Sequence, residues 1–271
     1  MQSPPQDGFY RRAKDEQFRA RSAYKLLHVH EITRILDNVV RAVDLCAAPG
    51  SWSQLLSRML YAPLGIDPTK PLPEDCPVRI VAVDLQEMAP IPRVQILQGD
   101  ITELKTAQEI VTKLDGHHAQ LVICDGAPDV TGLHEADEFL HSQLIFAALG
   151  TAARVLEKGG NFVAKIFRNE GLDLMRAQFH LLFDAVEVIK PSSSRIRSAE
   201  HFIVGLGFKY EPGELDFLSL SSSATCGTAA NATGPDLQML RGMLLQGSLS
   251  PPCESGLSST GPSHSDATTD R

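Results

Sequence analysis

Three aspartates close three apolar runs: Asp44 in "AVDLC", Asp84 in "VAVDLQ" and Asp100 in "QGDIT". The first run continues into "CAAPGSW", Cys46 to Trp52, where Ala47 and Ala48 carry little side chain and Gly50 frees the backbone to turn. Such a loop can hold a ligand against bare backbone, and Ser51 stands where it can cap a following helix. The stretch has neither the G-x-G-x-x-G spacing nor the lysine of a phosphate-binding loop, so a pyrophosphate is a poor candidate. A carboxylate ending the second run suits a ribose diol, and one ending the third suits an adenine amino group. Together they describe an adenosine without phosphates, which S-adenosylmethionine fits best. One aspartate at a strand end is more often a cap than a ligand; three in succession reverse that reading.

The elements that must position these acids follow from the pattern around them. Strand-like runs fall at 40–46, 80–86, 94–100, 120–126, 161–167, 185–191 and 201–208. Helical segments lie between them at 51–60, 104–114, 135–157 and 171–183, with one more before the first strand at 19–30. This alternation predicts an α/β fold, a mostly parallel sheet covered by helices on both faces. Ligands of such sheets sit outside the carboxyl ends of the strands, where all three aspartates fall. The last two runs are too close for a crossover helix, so the final strand is expected to run antiparallel.

Composition narrows the class. With 43% hydrophobic residues among 271, the chain can build a sizeable core. It holds no apolar run long enough to span a membrane and no signal-like start, so a soluble, intracellular protein is expected. Five scattered cysteines without a C-x-x-C pair indicate neither a disulfide framework nor a zinc site. "HEADEFLH", 134–141, has Glu138 where a zinc-protease helix needs its second histidine, and no metal is expected. The net charge of −8 is uneven: residues 211–271 hold seven acidic and two basic residues, whereas Arg11 to Lys25 contains six basic ones. A second basic cluster, Lys190, Arg195 and Arg197, lies in "KPSSSRIRS". Local clusters of this kind can contact phosphates even in an acidic protein. Beyond Tyr210 the pattern dissolves, and 211–271 is read as a disordered tail with a short amphipathic segment at 237–245.

The motifs "RSAYKL", "DLCAAPGSWSQ", "VAVDLQEMAP", "QGDIT", "CDGAPDVTGLHEADE" and "GGNFVAKIF" resemble the FtsJ/RrmJ family of RNA ribose 2′-O-methyltransferases, most closely its eukaryotic cytoplasmic tRNA branch. The resemblance covers roughly residues 10–208. It implies a Rossmann-like S-adenosylmethionine-dependent methyltransferase fold, a seven-stranded mostly parallel sheet with an antiparallel last strand, within a domain of residues 1–210. The cofactor residues it implies are Gly50, Trp52, Asp84, Asp100 and Asp125. It also implies a catalytic tetrad of Lys25, Asp125, Lys165 and Glu200.

Chemistry makes such a tetrad useful, because a ribose hydroxyl is a weak nucleophile and must lose its proton to attack a sulfonium methyl. Lys165, inside an otherwise apolar strand, is expected to have its charged form disfavoured by burial and by a second lysine nearby, so that the neutral amine serves as base. Asp125 and Glu200 would orient the lysines. The implied substrate is the tRNA anticodon loop, with auxiliary proteins that select the nucleotide. The alternatives are the same chemistry on ribosomal RNA, a non-catalytic RNA-binding scaffold, and a nicotinamide-dependent oxidoreductase that the missing glycine spacing disfavours. The chain departs from the family in its "MQSPPQDG" start, in its tail, and in a proline-rich stretch at 61–79 that reads as an inserted surface loop.

Overall fold

A computed structural model describes residues 8–65, 72–73, 75–128, 132, 134–167, 171–194, 198–212 and 214. Most of the expected tail, including 237–245, lies outside the described residues, as do Arg195, Arg197 and the centre of the 61–79 stretch. Among the described residues the strands are β1 (Arg41–Leu45), β2 (Arg79–Asp84), β3 (Gln95–Gln98), β4 (Ala119–Cys124), β5 (Leu156–Phe167), β6 (Phe183–Ile189) and β7 (Glu200–Phe208). The helices are α1 (Gly8–Asp15), α2 (Ala23–Thr33), α3 (Ser51–Tyr61), α4 (Leu104–Lys113), α5 (His134–Val155) and α6 (Leu172–Leu182).

The sheet runs β3-β2-β1-β4-β5-β7-β6. Strands β3, β2, β1, β4 and β5 pair in parallel, and β7 inserts antiparallel between β5 and β6. The order reverses between β1 and β4, so their carboxyl ends form the crevice where an open α/β sheet takes its ligand. The expected antiparallel last strand is present, although it joins the interior of the sheet and not its edge.

Alternation along each strand divides the core in two. Val43, Val81, Val122, Phe162 and Ile203 face α4, α5 and α6 in one cluster. Ala42, Ile80, Leu121, Val163 and Phe202 face α2 and α3 in the other. Burial of both faces explains why the central strands read as continuous apolar runs. Helix α1 was not anticipated, because its apolar content is low and Ala13 is its buried residue.

Two local expectations need correction. The 61–79 stretch is not wholly a surface loop: Tyr61 completes α3, and Tyr61, Cys76 and Val78 are buried in the second cluster. The Tyr61 hydroxyl shares its one proton between the carbonyls of Val78 and Arg93, at 3.1 and 3.3 Å, and so ties the start of the excursion to its end. Ser51 does not cap α3. Gly50 occupies the cap position, and Ser51 begins the helix with its hydroxyl 2.6 Å from that of Ser22.

Candidate active site

The loop after β1 turns through Cys46 at φ 54°, a cis Ala48-Pro49 peptide and Gly50 at φ 102°. A β-carbon on Gly50 would lie 2.4 Å from Ile91 Cδ1 and 3.0 Å from Arg19 Nη1, so glycine is required both by conformation and by close approach. What crowds this backbone is the protein itself. The Arg19 guanidinium donates to the carbonyls of Pro49 and Pro90, both at 2.8 Å, which takes it out of the set of free phosphate contacts. Arg12 likewise pairs with Glu16 and lies over the Tyr24 ring, while Arg11 and Lys14 are exposed.

Asp84 accepts from the Ala48 and Gln86 backbone N–H groups, both at 2.8 Å, and so ties the end of β2 to the loop. Asp100 Oδ1 accepts from the Thr102 N–H and hydroxyl, both at 2.8 Å. Each carboxylate is thereby fixed in orientation and keeps lone pairs for a further donor. Trp52 is placed differently from its neighbours. Its indole is buried against Phe202, with ring centroids 5.5 Å apart, and its N–H donates to the Ser22 carbonyl at 2.8 Å. The side chain belongs to the core beneath the loop, which leaves its backbone N–H, in the first turn of α3, as the group that can face a ligand.

Asp44 is fully buried one residue before the end of β1. Its Oδ2 accepts from Ser53 Oγ at 2.6 Å, and its Oδ1 has no hydrogen-bond partner. Burial above all raises this carboxyl to about 7, opposed by the Ser53 hydrogen bond and reinforced by Asp125 and Asp84. Its position at a strand end was visible in the sequence, but its burial was not.

The four tetrad residues come from α2, β4, β5 and β7 and form two ion pairs. Lys25 Nζ lies 2.7 Å from Glu200 Oε1 and 2.8 Å from Oε2. Lys165 Nζ donates to the Asp125 main-chain carbonyl at 2.6 Å and lies 3.2 Å from Asp125 Oδ1, which is close enough to pair but not aligned for a hydrogen bond. In the β5–β7 ladder Lys165 is opposite Phe202 and Phe167 opposite Glu200, so Lys165 and Glu200 are diagonal neighbours on one face. The immediate partner of Lys165 is therefore a carboxylate and not the second lysine. Burial raises the Asp125 carboxyl, Lys165 and then Lys25 oppose the rise, and Glu200 adds to it. Both lysines thus act on one half-buried acid.

Sequence reasoning missed His141, which it set aside together with the zinc-like pattern. The ring, in α5, is buried, and Nε2 lies 3.1 Å from the Lys165 carbonyl. Burial lowers its pKa to about 4, with the backbone bond opposing and Lys165 adding to the fall, so the ring is neutral at pH 7 and its Nε2–H donates. Strand β4 ends at Cys124, paired with Ala164, and His141 meets the β5 backbone one residue further on.

Residues 18–208 match the FtsJ-like methyltransferase family. The chain belongs to this family. The FtsJ-like chain is 50% identical over 208 residues to a mouse protein named tRNA (cytidine(32)/guanosine(34)-2′-O)-methyltransferase, an alignment covering 77% of this chain and 60% of the mouse protein's length. It is 39% identical over 205 residues to the Pseudomonas aeruginosa ribosomal RNA large subunit methyltransferase E, covering 76% of this chain and 92% of that protein. A crystal structure from Plasmodium falciparum, titled as a ribosomal RNA methyltransferase, superposes with a TM-score of 0.58 at 21% identity, covering 70% of this chain and 98% of that one. That likeness concerns the fold. No described helix of the FtsJ-like chain is long and apolar enough to cross a membrane.

Proposed function

We propose that this chain transfers a methyl group from S-adenosylmethionine to ribose 2′-hydroxyls in the anticodon loop of tRNA, in the cytoplasm and with auxiliary proteins that choose the nucleotide. The observation that carries this reading is the pair of ion pairs, Lys25–Glu200 and Lys165–Asp125, set beside the Asp84-tied loop at the carboxyl ends of the strands.

The site suits the cofactor on its own chemistry. Asp84 and Asp100 are oriented carboxylates with acceptor capacity to spare, Ala47 and Ala48 leave the backbone bare, and Asp44 Oδ1 is a buried acceptor without a partner. Asp84 would hold the ribose diol, Asp100 the adenine amino group, and the loop from Ala47 to Trp52 the methionine part. When bound, S-adenosylmethionine supplies an electrophilic methyl group on a sulfonium. The residues of the chain do the rest. Lys165 Nζ, aimed by the Asp125 carbonyl, first releases its own proton to solvent, and the neutral amine then takes the proton of the 2′-hydroxyl. Asp125 steadies the resulting ammonium, and the Lys25–Glu200 pair holds its own charges fixed beside the reacting oxygen.

The name of the mouse relative, a tRNA 2′-O-methyltransferase, supports tRNA. Ribosomal RNA is the second reading, favoured by the match over 92% of the shorter Pseudomonas protein. The two are separated by incubating the full chain and labelled S-adenosylmethionine with tRNA and ribosomal RNA in cell extract, then mapping 2′-O-methyl positions. Label in the anticodon loop supports the proposal. Label confined to ribosomal RNA overturns it.

A further inference from the structure

At the mouth of the site stands an aromatic ring that the chemistry above does not use. Phe167 is the last residue of β5, and 38% of it is exposed. Most exposed apolar side chains need no explanation, but this one lies two residues beyond Lys165 and directly opposite Glu200 in the β5–β7 ladder. The strand rise separates its Cα from that of Lys165 by about 6.6 Å. A ribose whose 2′-hydroxyl meets Lys165 carries its base on the adjoining carbon, within reach of the end of β5.

Phe167 is also held in place from one side. The His141 ring packs on it with centroids 4.5 Å apart and planes 39° apart. His141 is in turn tied to the Lys165 carbonyl, where β5 has lost β4 as a neighbour. A terminal strand residue with no such support would fray. Here the ring that carries Phe167 also fixes the backbone of the base, Lys165, so the platform and the reacting amine are held by one contact. Ordering of this kind before binding lowers the cost of taking up a flexible ligand.

Resting on the RNA-ribose reading above, we propose that Phe167 is the stacking platform for the nucleobase of the target nucleotide, with His141 as the residue that positions it. Stacking on a phenyl ring tolerates any base, because every base offers a π-face, so the platform contributes affinity and orientation without choosing the base. A single-stranded loop can deliver an unstacked base to it, whereas a duplex would first have to break a pair.

The test uses the full chain, S-adenosylmethionine at saturation, cell extract, and two anticodon stem-loop RNAs, one intact and one with an abasic ribose at the target position. That ribose keeps its 2′-hydroxyl but has no base to stack. For the intact RNA, Phe167→Ala is expected to lower kcat/KM by about fivefold to 100-fold, mainly through KM. Phe167→Tyr should stay near the original value, and Phe167→Leu, apolar but unable to stack, should resemble the alanine variant. On the abasic RNA the unmodified protein should fall to the level of Phe167→Ala, and the variant should fall no further. Calorimetric affinity for S-adenosylmethionine should be the same in all four proteins, which shows that each is folded at the cofactor site. Equal kcat/KM for Phe167→Ala and the unmodified protein overturns the platform while leaving the function intact. So does an equal further loss by the variant on abasic RNA, the result expected if Phe167 instead docks an auxiliary protein. Absence of methyl transfer to any RNA by the unmodified protein overturns the function and the platform together.

Discussion

Lys25 and Glu200, 175 positions apart in the chain, form a two-oxygen ion pair at 2.7 and 2.8 Å with only 11% and 14% of their side chains exposed. Removing one partner strands the other charge in a poorly solvated place. Glu200→Gln is therefore expected to cost about 3 kcal/mol, and Lys25→Met combined with Glu200→Gln less than the sum of the single changes. Urea unfolding of the four proteins measures the coupling. Strict additivity would show that the pair contributes nothing as a pair.

Lys165 is expected to be dispensable for cofactor binding and indispensable for transfer. Lys165→Ala and Lys165→Arg should each lower kcat by at least about 100-fold, the arginine variant because a guanidinium does not give up its proton at working pH. Calorimetry should find S-adenosylmethionine affinity nearly unchanged. An arginine variant that turns over at a tenth of the normal rate would exclude Lys165 as the base.

Asp44 links stability to pH. Its folded carboxyl stands at about 7, above the unfolded value, so its contribution is fully present in acid and is lost as pH rises through 7. Asp44→Asn should remove that loss. Relative to the original protein, the variant should gain about 3 kcal/mol on going from pH 5 to pH 8, read from urea midpoints at both values. The comparison cancels His141, whose depressed pKa acts in the opposite sense, stabilising above its ordinary range and losing that effect as pH falls toward 4. An identical difference at both pH values would place the Asp44 carboxyl near its ordinary range.

Gly50 tests whether the loop is crowded by the protein. Gly50→Ala places a methyl group 2.4 Å from Ile91 Cδ1 at φ 102° and is expected to destabilise by about 1–3 kcal/mol. Ile91→Ala in the same chain should relieve the contact but not the backbone strain, which makes the combined loss less than additive. Thermal unfolding of the three variants decides it, and a Gly50→Ala protein that melts with the original would refute the crowding.

The sequence by itself determined the runs that became all seven strands, the turn at Gly50, the acids at strand ends and, through family motifs, the positions of Lys25, Asp125, Lys165 and Glu200. Those features are local: a strand buried on both faces must be continuously apolar, and a backbone at φ 102° calls for glycine. The tertiary structure alone decided which groups meet. It set Lys25 against Glu200 and Lys165 against Asp125, inserted β7 beside β5, and turned the Trp52 indole into the core. It committed Arg19 to two carbonyls, and it brought His141 to the edge of β5 where β4 stops. Desolvation of Asp44 belongs to the same class, since a carboxyl's pKa depends on what surrounds it in three dimensions. Periodicity reports which face of an element is buried, but the partner across that face comes from elsewhere in the chain, and chain topology brings it there.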